Sequence, residues 1–241
     1  DRPVRRAVLL GPEGPMQQRH HADAESMHRE AAACMAEHLL SAIEERGAAS
    51  LALSGGGTPR RTFELLAGNA AMTDGHWSRV HVFWCDERCV PPEDPQSNFG
   101  MARRHLLDRL PGPGPALHRI HGELDDAEAA AERYEAELRA FFGGPTRFDV
   151  CHLGMGSDGH TASLFPGRSL AVRGRLAVAE AEPGMEPFVP RVTLTLEAVN
   201  ASRAVLFLAG GKRDVLARIE AGADLPAALV RPREEPVWFT C

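Results

Sequence analysis

Residues 149–167 read Asp149-Val-Cys-His-Leu-Gly-Met-Gly-Ser-Asp-Gly-His-Thr-Ala-Ser-Leu-Phe-Pro-Gly167. An apolar run (Phe148, Val150, Cys151, Leu153) ends in three glycines within six residues, Gly154, Gly156 and Gly159, with Asp158 and His160 beside them. This is a strand that delivers an acid and an imidazole into a loop. Glycine accepts positive φ and lets backbone amides approach a ligand, so a strand end of this composition is where an α/β protein places chemistry.

Three other strand ends carry related signals. Ser50–Leu53 runs into Ser54-Gly55-Gly56-Gly57-Thr58-Pro59. Thr58 is the expected N-cap and Pro59 the first helical residue, with Phe63, Leu65 and Leu66 as the apolar face that follows. Free amides at the positive end of a helix form an anion site, and phosphate is its natural ligand. The spelling is neither a Walker loop nor GxGxxG, so nucleotide binding gains little from it. Val80–Cys85 ends at Asp86-Glu87-Arg88. Two readings stay open there: a solvated loop, or one in which Asp86 or Glu87 orients Arg88 toward a ligand. Ala204–Leu208 feeds Gly210-Gly211-Lys212 and a helix to Ile219. Lys212 is the single lysine among 27 basic residues, and an ammonium meets a phosphate oxygen differently from a planar guanidinium.

Between these segments the periodicity alternates. Ala7–Leu10 reads as a strand. Residues 22–46 form an amphipathic helix through Met27, Ala31, Cys34, Met35, Leu39, Ala42 and Ile43, stopped by Gly47. His20, His21 and His28 read as surface residues. A helix is expected over 97–110 with Ser97 as its cap, and a strand over 117–121. A second amphipathic helix over 125–142 turns Tyr134, Leu138, Phe141 and Phe142 inward. Strands follow over 176–181, 189–196 and 237–240, with a short apolar segment over 226–230. Strands alternating with helices specify the α/β class: one domain over residues 1–241 with a doubly wound, mostly parallel, Rossmann-like sheet and helices on both faces. Ligands of such sheets bind beyond the carboxyl ends of the strands, so the four marked ends make one site.

Composition narrows the function. A net charge of −6 argues against general affinity for nucleic acid or acidic membranes. No apolar run reaches the length of a membrane span and the N-terminus lacks a signal-peptide core, so a cytoplasmic protein is the expectation. Five cysteines without CxxC spacing point to reduced thiols, with no metal site expected.

The segments Leu51-Ala-Leu-Ser-Gly-Gly-Gly-Thr-Pro59, Phe83-Trp-Cys-Asp-Glu-Arg-Cys-Val-Pro91 with Ser97-Asn98-Phe99, Gly154–Gly167, Arg191-Val-Thr-Leu-Thr-Leu196 and Pro226-Ala-Ala-Leu-Val-Arg-Pro232 resemble, in order, the motifs of the 6-phosphogluconolactonase family. The resemblance implies hydrolysis of 6-phospho-D-glucono-1,5-lactone to 6-phosphogluconate in the pentose phosphate pathway, without a cofactor. It implies that His160 is the general base, that Asp158 belongs to the catalytic loop, and that Gly55, Gly56, Gly57, Thr58, Asp86, Arg88, Asn98, Gly156 and Lys212 line the substrate and phosphate site. Gly57 stands where the family often has Ser or Arg. The partner is a small sugar-phosphate lactone, and a monomer or weak dimer is expected.

The residues support that chemistry independently. A neutral imidazole, with an ordinary pKa of about 6.5, suits removal of a proton from water near pH 7. Asp158 either fixes its tautomer or caps the turn. Loop amides near Gly156, or a cation, would meet the oxyanion. No Gly-x-Ser-x-Gly elbow supports a serine nucleophile. The rival classes are a glucosamine-6-phosphate deaminase or isomerase and a non-catalytic sugar-phosphate sensor.

Overall fold

The computed structural model describes residues 17–168 and 172–241. The strand expected over Ala7–Leu10 lies outside them. Among the described residues, seven strands form a wholly parallel sheet: β1 (Gln17–His20), β2 (Ala49–Leu53), β3 (Val80–Trp84), β5 (Ala116–His118), β6 (Val150–Gly154), β9 (Val205–Leu208) and β10 (Val237–Thr240), in the spatial order β1-β10-β9-β6-β2-β3-β5. All five residues of β2 are buried, which is why a central parallel strand reads as a continuous apolar run rather than an alternation. Helix α1 (Ala24–Arg46) starts where the Asp23 carboxylate accepts from Ser26 N at 2.7 Å and stops at Gly47, whose φ of 82° suits a residue without a Cβ. Its buried stripe is the one the periodicity selects, and it packs across β2, β6, β9 and β10. Removal of a Leu or Met side chain from water contributes about 1.5–3 kcal/mol, so this stripe fixes the helix on the sheet.

Strand order locates the site. From β2 the chain winds outward through β3 to β5, then returns to β6 and winds the other way through β9 to β10, where β1 from the start of the described chain adds the edge strand, so the direction reverses between β2 and β6. Parallel sheets open a crevice at the carboxyl ends of the strands where the order reverses. The loops that follow β2 and β6 are Ser54–Thr58 and Met155–His160, and the ends of β3 and β9 flank them with Arg88 and Lys212.

Some elements depart from the sequence reading. Asp86–Arg88 is β4, the edge of a second, antiparallel sheet with β8 (Arg191–Leu194) and β7 (Ala177–Glu180), in the order β4-β8-β7. The strand expected over 189–196 therefore stops at Leu194, and Thr195 caps the short helix α6 (Leu196–Asn200). Helix α2 (Arg60–Ala67) begins later than expected: Pro59 is the N-cap, its carbonyl accepts from Phe63 N at 2.9 Å, and the Thr58 side chain caps nothing. Helix α3 (Asp74–Trp77) and β1 were not anticipated. β1 is polar, so it carries no alternating signal, yet it pairs with β10 through its backbone. Two of the histidines expected at the surface are half-buried: His21, just after β1, is paired with Glu30 and bonds Thr240 O, and His28 on α1 has Nδ1 2.8 Å from Thr62 Oγ1 of α2. Helix α4 (Asn98–His105) is shorter than 97–110 because a 3₁₀ turn takes over at Leu107. In α5 (Ala127–Phe142), Tyr134 and Leu138 are buried, whereas Phe141 is 37% exposed at the rim. Residues 226–229 form a 3₁₀ turn, and α7 (Arg213–Glu220) follows Lys212. Among the described residues no helix is long and apolar enough to cross a membrane.

Candidate active site

The loop after β6 folds on itself. Gly156 N donates to His160 O at 2.9 Å, and Gly159 N donates to Gly156 O at 3.1 Å with φ of 90° at Gly159. Asp158 Oδ1 lies 2.6 Å from His160 Nδ1 and also accepts from the His160 backbone N at 3.1 Å. Asp158 thus meets the ring and closes the turn together. Burial opposes ionisation of Asp158, but the hydrogen bond from His160 N and the neighbouring imidazole hold its carboxyl below the usual carboxylate range. A carboxylate on Nδ1 places the ring proton there and leaves the lone pair on Nε2, the tautomer a general base requires. Phe165 packs against the imidazole with centroids 4.9 Å apart.

Gly156 contributes space. A Cβ there would lie 2.1 Å from His160 Nδ1 and 2.6 Å from Asp158 Oδ1, so any side chain would push the pair apart. Because its N–H is engaged by His160 O, that amide does not face an oxyanion.

Across the crevice, the loop after β2 is bare backbone. Gly56 has φ of 89°, and a Cβ at Gly57 would have nothing within 4 Å. No side chain caps α2, so its first amides face the loop without a protein partner among the described residues. Gly55 is fixed by close approach, since a Cβ there would overlap Asn98 Oδ1 at 1.7 Å. Asn98 is 1% exposed and donates to Asp86 O at 2.8 Å, so it props the glycine loop from behind.

Asp86 and Glu87 are not in a solvated loop; they are 4% and 3% exposed. Asp86 accepts from Ser163 Oγ at 2.7 Å, which ties β4 to the segment after β6. Glu87 accepts from the backbone N of Arg88, Asn98 and Phe99 at 2.8, 2.7 and 2.7 Å, joining β4 to the start of α4. Burial pushes its carboxyl up to about 7. Neither carboxylate meets the Arg88 guanidinium, which donates instead to Gln96 O at 2.6 Å. The carboxylates anchor the strand, and the Arg88 guanidinium makes no ion pair among the described residues. Lys212 is half-buried at the start of α7 and makes no ion pair among the described residues; the turn before it depends on Gly211 at φ of 68°.

The partners of several polar groups here are not visible in the sequence. Ser163 and Thr193 join the segment after β6 to the small sheet, with Ser163 N donating to Thr193 Oγ1 at 3.2 Å. His152, buried in β6, bonds Ser54 Oγ at 3.1 Å, and burial lowers its pKa to about 3. Arg191 is 3% exposed and lies in the β8 ladder opposite Arg88. Each sits inside an otherwise apolar strand or loop whose partners the sequence does not reveal.

A doubly wound α/β fold that carries an Asp–His pair after one strand and a glycine loop leading into a helix after its neighbour defines the class of protein. The family model described as glucosamine-6-phosphate isomerases/6-phosphogluconolactonase matches residues 22–238, and the chain belongs to that family. It is 40% identical over 217 residues to a 6-phosphogluconolactonase of Synechocystis sp., covering 86% of this chain and 87% of the relative. The 6-phosphogluconolactonase of Rattus norvegicus is also 40% identical, over 85% of this chain and 83% of the relative. The crystal structure of 6-phosphogluconolactonase from Thermotoga maritima matches with a TM-score of 0.82 at 35% identity, covering 92% of this chain and 98% of that one. A monomeric glucosamine-6-phosphate deaminase shares the fold, with a TM-score of 0.78 at 21% identity, covering 93% of this chain and 97% of that one.

Proposed function

We propose that this protein hydrolyses 6-phospho-D-glucono-1,5-lactone to 6-phospho-D-gluconate, the lactone step of the pentose phosphate pathway, in the cytoplasm. The observation that carries the reading is the Asp158–His160 pair at 2.6 Å, seated in the switch-point crevice opposite an uncapped helix start. The names of the relatives supply the substrate.

His160 Nε2 takes a proton from water as its oxygen adds to the lactone carbonyl carbon. As the tetrahedral intermediate collapses, the ring C–O bond breaks and the imidazolium returns the proton to the leaving oxygen. Asp158 holds the tautomer and offsets the transient charge. The phosphate lies at the far end of the substrate, received by the amides of Gly55–Thr58 and α2, by Arg88 and by Lys212. Gly156 clears the space for the dyad, while Asp86 and Asn98 keep the two loops in register.

The test is a pH-stat assay on freshly generated lactone, corrected for spontaneous hydrolysis, run beside an assay for ammonia release from glucosamine-6-phosphate. Acid production from the lactone without ammonia release is the expected result. Ammonia release without lactone turnover would assign the deaminase reaction, and binding of 6-phosphogluconate with neither activity would assign a sensor.

A further inference from the structure

β4 and β8 pair antiparallel with Arg88 directly opposite Arg191 and Asp86 opposite Thr193. Side chains two apart on a strand share a face, and so do directly opposed residues on paired strands, so Asp86, Arg88, Arg191 and Thr193 project from one side of the small sheet. Ser163 touches both Asp86 and Thr193, which identifies that side as the one carrying the catalytic loop. Like charges directly opposite one another in a ladder are destabilising, and a buried guanidinium needs an anionic partner. Neither arginine has one among the described residues. Asp86 is engaged by Ser163 and Asn98, and Glu180, which flanks Arg191 on β7, accepts from Glu182 N at 3.1 Å.

The donors of the pair are also incompletely matched. Nε of Arg88 and Nε of Arg191 are both buried without a hydrogen-bond partner. Arg191 Nη2 donates to Met185 O at 2.9 Å and Pro187 O at 3.1 Å, and its guanidinium lies 5.2 Å from the centroid of Phe165, the ring that packs on His160. Arg191 Nη1 donates to no described residue. Burial pulls the pKa of Arg191 below the usual arginine range, and the charge of Arg88 adds to that while Asp86 and Glu180 oppose it. The head group is therefore held by two carbonyls against Phe165, short of an anion, on the strand pair whose Asp86 is also held by Asn98, the residue behind Gly55.

We propose that Arg191 is a second guanidinium of the anion site, forming with Arg88 a cross-strand arginine pair that receives the dianionic phosphate of the substrate. This rests on the reading of Arg88 as a phosphate ligand. Two opposed guanidiniums would present forked donors to a phosphate while its charge removes their mutual repulsion. Lys212 and the glycine-loop amides would close the other side of the same group.

The experiment is titration of wild type, R191M and R191K with inorganic phosphate by calorimetry, with a thermal melt of each protein. R191M should weaken phosphate binding about tenfold or more, the scale of a lost charge-assisted hydrogen bond, with R191K intermediate. In kinetics R191M should raise KM for the phosphorylated lactone and leave KM for unphosphorylated D-glucono-1,5-lactone unchanged. Wild-type phosphate affinity in folded R191M would overturn the proposal. If R191M does not fold, R191K carries the test, and unchanged affinity in it would have the same consequence. Equal loss of kcat on both lactones with phosphate binding intact would show that Arg191 only holds Phe165 and residues 185–187, and would likewise overturn it. Phosphate binding that depends on Arg191 in a protein without lactone turnover would remove the hydrolase reading and leave this inference standing.

Discussion

The two loops that meet at the switch point are built on opposite plans. The loop after β6 is closed by its own side chains: Asp158 reaches His160, Thr161 Oγ1 donates to Gly154 O at 2.8 Å, and Ser163 ties into Asp86. The loop after β2 has an open Gly57, an exposed Thr58 and an uncapped helix behind it. Under the proposed function the first plan suits proton transfer, which tolerates little positional error and is served by groups locked in advance. The second would suit anion recognition by amides without protein partners and by cations without a carboxylate partner among the described residues. The contrast predicts that damage to the first loop appears in kcat and damage around the second in KM.

Predictions that test this contrast descend in size. Gly156→Ala places a methyl 2.1 Å from His160 Nδ1, so kcat should fall about a hundredfold or more while inorganic phosphate still binds. Unchanged kcat would mean that the dyad geometry does not limit the reaction. Asp158→Asn replaces the carboxylate that fixes the tautomer, and kcat should fall about tenfold or more with KM little moved; a rise in KM alone would place Asp158 with the substrate. Lys212→Ala should raise KM about tenfold with kcat held, because a charge-assisted contact remote from the carbonyl is lost. A fall in kcat alone would assign Lys212 to the oxyanion.

The smallest effect concerns the support rather than the loops. Burial raises the Glu87 carboxyl from an ordinary 4.5 to about 7. Between those values the folded protein binds more protons than the unfolded chain, so stability falls as pH rises through this window. The loss is at most about 3 kcal/mol across it. Melting curves from pH 4.5 to 7.5 should show this slope in wild type and its absence in Glu87→Gln. A slope of the opposite sign would show that the three backbone donors hold Glu87 ionised throughout.

Much of the fold was legible because it is periodic. The stripe of α1, the apolar runs of β2 and β6, and β10 at residues 237–240 follow from spacing alone. Two strands of the small sheet were legible too, β7 within 176–181 and β8 within 189–196, but β4, three residues with two buried carboxylates, carries no strand pattern, and nothing local shows that the three pair apart from the main sheet. β1 was missed because a polar edge strand is held by backbone pairing that no side chain announces. Asp158 and His160 were readable as one unit because they are two residues apart in a glycine loop. The parts that depend on distant chain segments were invisible: Asn98 behind Gly55, Ser163 on Asp86, and Arg191 across from Arg88. Strand order belongs with these, and it alone brings the β2 and β6 loops side by side.

In the proposed reaction His160 is the group that activates water. In the pH-stat assay on fresh lactone, His160→Ala should lower kcat about 10²-fold or more, with KM and inorganic phosphate binding near wild type. Turnover close to wild type in that variant would contradict it.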